Sequence, residues 1–211
     1  GKDHQLQAIL KDNTKFGMNE THAIKADHEV FYRNEFQEIP MVKQLLDKAY
    51  KQLGTSGGGN HFVEFGIVKL EQTLPEWKLQ PGEYIAVLSH SGSRGLGANI
   101  AKHYTYLATK QCPLPKNVQH LAWLDLNTHD GQEYWLAMNL AGDYAKACHD
   151  DIHRRVAKAL GKRTVFTIEN HHNFAWKEMV NGKECIVHRK GATPAAKGQL
   201  GIIPGSMTAP G

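Results

Sequence analysis

Three histidine positions stand where short apolar runs give way to polar loops. His61 follows Gly57-Gly58-Gly59-Asn60 and opens the strand-like run 61–68. His90 follows the run 84–88 (YIAVL), and His171-His172 follow the run 165–168 (VFTI). Imidazoles delivered from separate strand ends let a fold assemble a mononuclear or dinuclear metal site without clustering the ligands in sequence. Taken singly, each reads as a hydrogen-bonded structural histidine. The recurrence of one strand-then-polar-loop context turns the set of three toward metal chemistry. His4, His22, His28, His103, His120, His129, His149 and His153 lack that context and read as surface or packing residues.

Cations and glycines accompany the histidines. GTSGGGN (54–60) is not a Walker loop, because GxxxxGK[ST] is absent, but glycine amides can still cradle a phosphate. A tight turn explains the glycines equally well. SHSGSRGLG (89–97) carries Arg94 just before a helix expected to begin at about Ala98, a context that suits an oxyanion facing a helix N-terminus and an Arg fork. HRKGAT (188–193) adds Arg189 and Lys190 beside a glycine. Surface charges are ordinarily just solvated, and the placement at strand ends is what favours anion binding here. GxSxG is missing, so no serine-hydrolase elbow can be argued. The residues alone point to a metal-assisted reaction at phosphate.

The elements that must position these groups follow from periodicity. Residues 1–39 show no clean period and read as helix ends and loops. Pro40 opens a helix with Val42, Leu45, Leu46 and Ala49 on one face, ended by Gly54. The run 84–88 reads as a buried strand. A helix then carries Ile100, Tyr104, Leu107 and Ala108 and ends at Cys112-Pro113. The longest helical pattern spans 133–160, with Leu136, Leu140, Tyr144, Cys148, Ile152 and Val156 as its stripe and Gly161 as its stop. Short strands at 165–168, 185–187 and 201–203 lead to ENHHN, HRKGAT and PGSM. Five segments, 54–64, 89–97, 169–173, 188–193 and 204–207, are thus expected to converge at one edge.

Bulk properties set bounds. The 211 residues suffice for one domain or two small ones, and 25 Lys and Arg against 21 Asp and Glu leave a net charge of +4. That permits a nucleic-acid partner without demanding one. No apolar run approaches the ~20 residues needed to span a bilayer, and the first residues lack a signal-peptide core, so no membrane partner and a cytoplasmic location are expected. Cys112, Cys148 and Cys185 are too scattered for a zinc ribbon or a dithiol motif.

Taken together, GTSGGGNHFVEFG, LSHSGSRGLG, ENHHNFAWKE, HRKGAT and GQLGIIPGSM resemble, in order and approximate spacing, the RtcB RNA ligases. The resemblance covers 53–207. It implies an α+β fold, with central β-sheets flanked by helices and the core incomplete at both ends. It implies GTP and two Mn²⁺ ions as cofactors. The implied substrate is RNA whose 3′-phosphate or 2′,3′-cyclic phosphate end is joined to a 5′-hydroxyl end, and an archease-like activator is a candidate partner. A histidine is first guanylylated, GMP passes to the RNA 3′-phosphate, and the 5′-hydroxyl attacks. By motif, His61 corresponds to a ligand of one Mn²⁺, and His90 and His172 to ligands of the other. Asn60, Phe62, Glu64 and Ser206 correspond to the guanylate pocket, and Arg94 and Lys190 to groups near the RNA phosphate.

Departures from the family pattern accompany the likeness. The family's DxGCG-like motif, which carries the bridging cysteine and its neighbouring aspartate, is absent, and none of the three cysteines has the context to replace it. The HGAGR-like motif of the guanylylated histidine falls beyond Gly211. GSMT stands in place of GSMG, and GTSGGGN in place of GTLGGGN. The expectation is a divergent branch whose central stretch, by itself, does not ligate. A non-ligating RNA or nucleotide binder and a metal-dependent phosphoesterase acting on RNA ends remain the alternatives.

Overall fold

The first 39 residues, without a clean period, nonetheless open on a helix. The computed structural model describes residues 2–202, and α1 spans Lys2–Asn13. Its apolar residues are few, but Leu6, Ile9 and Leu10 fall three and four apart and are half-buried. Asn13 and Thr14 end it by donating side-chain hydrogen bonds back to the carbonyls of Ile9 and Leu10, at 2.9 and 2.8 Å. A short 3₁₀ turn (Glu29–Tyr32) and α2 (Glu35–Glu38) follow.

The helix expected from Pro40 to Gly54 is broken into α3 (Pro40–Lys43) and α4 (Leu46–Gln52). At the break the Leu45 amide donates to the Val42 carbonyl at 2.9 Å, a three-residue closure. That tightening turns the chain so that Val42, Ala49 and Leu53 all reach the interior, each at most 1% exposed. Gly54, at φ +75°, then leaves the helix in a conformation that favours glycine.

β1 (Phe62–Leu70) and β2 (Gly82–His90) form a two-stranded antiparallel ribbon, in register from Phe62↔His90 to Leu70↔Gly82. The run 84–88 is a strand, as its sequence predicts, but not a fully buried one. In a two-stranded ribbon one face is left open, and the paired residues Ile67 and Ile85 are 72% and 73% exposed.

α5 spans Arg94–Gln111, four residues earlier than the spacing predicts, and a 3₁₀ segment (Lys116–Leu121) leads to α6 (His129–Ala159). Thr128 caps α6, its hydroxyl accepting from the Gly131 amide at 3.2 Å. Leu140, Tyr144, Cys148, Ile152 and Val156 are fully buried along it, as expected, whereas Leu136 is exposed and Ala137 takes the inward position. Gly161, at φ +64°, stops the chain after the helix. The core gathers Phe31, Phe36, Leu53, Leu96, Ile100, Tyr104, Leu140 and Tyr144. The Tyr144 hydroxyl donates to the Ala49 carbonyl at 2.7 Å, so α6 and α4 are joined by a buried polar contact as well as by packing. Burial of each such side chain contributes roughly 1.5–3 kcal/mol.

These elements make up the first of two compact units, Gly1–Arg163; the second is Thr164–Gly211. The second unit contains the hairpin β3 (Asn173–Val180) and β4 (Lys183–Lys190), paired from Asn173↔Lys190 to Val180↔Lys183. Asn181 and Gly182, at φ +50° and +78°, make the two-residue turn. The strand expected at 165–168 does not form. Among the described residues its β-branched side chains have no partner strand, and propensity without pairing does not make a strand. Residues 201–202 are likewise irregular, and Ile203 lies outside the described residues. The fold is α+β, and among the described residues its sheets are two separate two-stranded ribbons rather than one larger central sheet. No helix among them is long and apolar enough to cross a membrane.

Candidate functional site

The glycine-rich loop 54–60 is held from three directions. Its Ser56 amide donates to the Lys15 carbonyl at 2.9 Å, and its Gly57 carbonyl accepts from the Gly17 amide at 2.7 Å. The Ser91 hydroxyl donates to the Ser56 carbonyl at 2.6 Å. GTSGGGN and HSGSRG, 35 residues apart at that contact, are therefore one structure. The N-terminal segment 15–18 is a third wall that the sequence did not suggest. Thr55 and Ser56 are fully buried. Gly57 sits at φ +106°, and a Cβ there would overlap both His61 Nδ1 and the Arg94 guanidinium, so the glycine is what lets these two groups approach each other.

His61 enters β1 just before the Phe62↔His90 pair, which places it beside the last residue of β2. The His61 and His90 rings lie 5.6 Å apart between centroids, at 61°. Phe62 stacks on His90 at 5.7 Å and 20°. Asn60 Nδ2 stands 3.5 Å from His90 Nε2, at the limit of a hydrogen bond. Strand alternation puts Glu64 on the same ribbon face as Phe62 and His90, exposed to solvent. His61 Nδ1 is buried without a hydrogen-bond partner among the described residues. Burial lowers the His61 pKa, and the nearby positive charges of Arg94 and His90 lower it further. A backbone hydrogen bond at Ser56 works the other way, against the larger effect of burial. A neutral, desolvated ring is the form of imidazole that can give a lone pair to a cation.

Arg94 opens α5 at φ +51°, a left-handed backbone that places its side chain inward. Its Nε donates to Thr55 Oγ1 at 3.0 Å, and its Nη2 to the carbonyls of Gly17 and Met18 at 3.1 and 3.4 Å. The guanidinium thus ties the glycine loop to segment 15–18, and Nη1 lies against Gly57 and His61. The second amide of α5 is also engaged, Gly95 donating to Gln52 Oε1 at 2.9 Å. Gln52, which is buried and reaches from α4, thus takes up one amide of a helix start whose sequence context suits an oxyanion.

In the second unit, ENHHN and HRKGAT come together as anticipated. The Ala192 amide donates to the His172 carbonyl at 3.1 Å, and the Gly191 amide to Asn173 Oδ1 at 2.7 Å. Lys190 is the register partner of Asn173, so it stands next to His172 along the chain path. Asn170 Oδ1 accepts from the Ile202 amide at 2.8 Å, which fastens the approach to the PGSM segment. Ser206 and the rest of 204–207 lie outside the described residues. Arg189 is engaged within the hairpin. It pairs with both carboxylate oxygens of Glu178 and lies over the Trp176 ring at 5.7 Å. That ion pair raises the Arg189 pKa and lowers that of Glu178.

Among the described residues, no three of His, Cys, Asp and Glu gather closely enough to hold a metal ion by themselves. Cys148 does not supply a thiolate, since burial pushes its pKa up to about 12. Two histidines set aside on sequence grounds prove to be engaged. His149 Nδ1 and His153 Nε2 both lie against the Ser89 hydroxyl, at 2.6 and 2.8 Å. Their i, i+4 spacing was the signal available in the sequence.

Known proteins align with this chain along most or all of its length. The profile of the family described as tRNA-splicing ligase RtcB matches residues 1–211. An RNA-splicing ligase RtcB of Escherichia coli K12 is 35% identical over 87% of the chain and 45% of its own length. A tRNA-splicing ligase RtcB of Thermococcus kodakarensis is 29% identical over 96% and 49%, and an RNA-splicing ligase RtcB homolog of Entamoeba histolytica is 32% identical over 72% and 32%. The chain spans about half the length, or less, of these relatives. The motifs GGGNHF, HSGSRG, HHN and HRKGA, the joined glycine and HSGSRG loops, and the match along all 211 residues agree: the chain belongs to the tRNA-splicing ligase RtcB family.

Proposed function

We propose that this chain provides one part of the catalytic core of an RNA ligase that joins a 3′-phosphate or 2′,3′-cyclic phosphate end to a 5′-hydroxyl end, using GTP and Mn²⁺ through a guanylylated histidine. The observation that carries the reading is the convergence of His61, His90, Asn60 and Phe62 on one end of the β1–β2 ribbon, beside a glycine loop pinned by Arg94. The fit to a divalent ion rests on His61, whose Nδ1 is buried and whose neutral form is favoured. By the family's motifs His61 would be a ligand of one Mn²⁺, and His90 and His172 ligands of the other, with phosphate and other oxygens completing each shell. When bound, the ion would supply positive charge against the phosphoryl oxygens.

The chain's own groups have separable tasks in this reading. Asn60 offers an amide N–H to a phosphate oxygen, and the exposed Glu64 carboxylate is an acceptor suited to the N–H edge of guanine. Phe62 provides a stacking wall with His90, and Ser206 corresponds by motif to a guanylate-pocket group. Arg94 and Lys190 balance the charge of the RNA phosphate, Arg94 also fixing the loop that presents His61. The nucleophilic histidine and the bridging thiolate are supplied by none of the motifs in these 211 residues.

Calorimetric titration of GMP with Mn²⁺ tests the reading. His61→Ala and Asn60→Ala should each weaken uptake by about tenfold or more. Incubation of this chain with GTP, Mn²⁺ and RNA bearing the two end types should give no joined product. Efficient joining would show that the essential groups are misassigned. Release of phosphate from a cyclic end would favour a phosphoesterase.

A further inference from the structure

On the face of β2 opposite His90, a second cluster of donor groups meets α6. Ser89 and His90 are consecutive in the strand, so their side chains point to opposite faces of the ribbon. Ser89 faces α6, where His149 and His153 stand one turn apart on the same side of the helix. His149 Nδ1 lies 2.6 Å and His153 Nε2 2.8 Å from the single oxygen Ser89 Oγ, with ring centroids 6.3 Å apart. All three residues are half-buried. The helix around them is rigid, with Cys148 and Ile152 fully buried on its adjoining face.

We propose that Ser89, His149 and His153 form a binding site for a transition-metal dication of the imidazole-preferring class, Zn²⁺ or Co²⁺. A pair of imidazoles at i, i+4 is held by the helix and needs little reordering to chelate, so most of the entropic cost of organising two ligands is already met by folding. Both nitrogens approach the one oxygen Ser89 Oγ at hydrogen-bond distance, so the hydroxyl must draw back by about half an ångström to admit an ion between the rings, where it becomes a third, weaker oxygen donor. Half-burial leaves room for water to complete a tetrahedral set of four. Hard cations that require several carboxylate or carbonyl oxygens are disfavoured, because the donors converging on this point are two nitrogens and one hydroxyl. The site does not depend on the ligase reading, since it uses none of the groups assigned to that reaction.

The ion should also clamp the end of β2 to α6. Titration of the 211-residue chain with Co²⁺, followed by its visible d–d absorption and by imidazole ¹H–¹⁵N spectra, tests the proposal. The expected result is that the resonances of His149 and His153 shift together on the unmutated protein. One equivalent of Co²⁺ should be lost in His149→Ala and in His153→Ala but retained in His61→Ala. Ser89→Ala should weaken the same binding by about tenfold, with circular dichroism unchanged. Unshifted His149 and His153 resonances at saturating Co²⁺ would overturn the proposal without recourse to any variant. Co²⁺ uptake by folded His153→Ala equal to that of the unmutated chain would do so as well.

Discussion

His61 is held in a form that pH can read. Burial and the neighbouring Arg94 and His90 charges hold its folded pKa below the ordinary imidazole value of 6.5. The unfolded chain therefore binds a proton at this ring more readily than the folded one does. The stability His61 contributes is complete above about 6.5 and is lost as the pH falls from there through its lower folded value. His22 is shifted in the same direction, mainly by burial, and adds to the slope. Urea unfolding of the unmutated chain should show a fall in stability between about pH 7.5 and pH 5.5 that is smaller in His61→Gln. An equal fall in both proteins would mean that the ring is not held neutral by its surroundings. Divalent-ion uptake at this end of the ribbon should decline only as the pH falls through the lower folded value, because a protonated imidazole has no lone pair to give.

At the scale of elements, what the sequence revealed was whatever has a local cause. The stripe from Leu140 to Val156, the stop at Gly161 and the strand before His90 follow from period and from a terminator. The breaks in that legibility have physical reasons. α3 and α4 read as one helix because their apolar spacing is continuous, and only the core geometry imposes the turn at Leu45. The run 165–168 reads as a strand because its residues favour one, yet no strand among the described residues pairs with it. Conversely, β3 was missed although Asn181-Gly182 is a strong hairpin signal, because the flanking run NFAWKEMV alternates imperfectly. For the site, the motifs marked the two loops that the Ser91–Ser56 hydrogen bond joins. Long-range partners such as Gly17, Met18 and Gln52 carry no local mark. The turn itself makes a prediction. An alanine at position 182, where φ is +78°, must adopt a left-handed backbone that costs about 1–2 kcal/mol. Amide exchange across β3 and β4 should accelerate in Gly182→Ala and much less in Gly182→Asn, since Asn tolerates that region. Equal protection in all three proteins would mean that this turn does not limit hairpin opening.

The whole molecule is unevenly built, and that unevenness can be measured. Unit Gly1–Arg163 has a continuous core in which Phe36, Leu53, Leu96, Tyr104, Leu140 and Tyr144 are almost entirely withdrawn from water. In unit Thr164–Gly211, Ala175 is the only buried hydrophobic residue among those described, and the hairpin's ordered contacts are largely the Glu178–Arg189 pair and its aromatic neighbours. An isolated two-stranded hairpin is marginal in water, so the second unit has little independent stability to draw on. The segment joining the units, Gly161-Lys162-Arg163, is exposed and follows the last turn of α6. Two adjacent trypsin sites in an exposed stretch outside regular structure should be cut first. Limited trypsin digestion is therefore expected to release a stable fragment ending at Lys162 or Arg163. That fragment should retain the helical circular dichroism of α5 and α6 and unfold in a single cooperative step. The remainder should be degraded further, with its surviving peptides lacking ordered structure by NMR. Cleavage inside α5 or α6 before cleavage at 162–163, or a protease-resistant product covering 164–202, would contradict this division of stability.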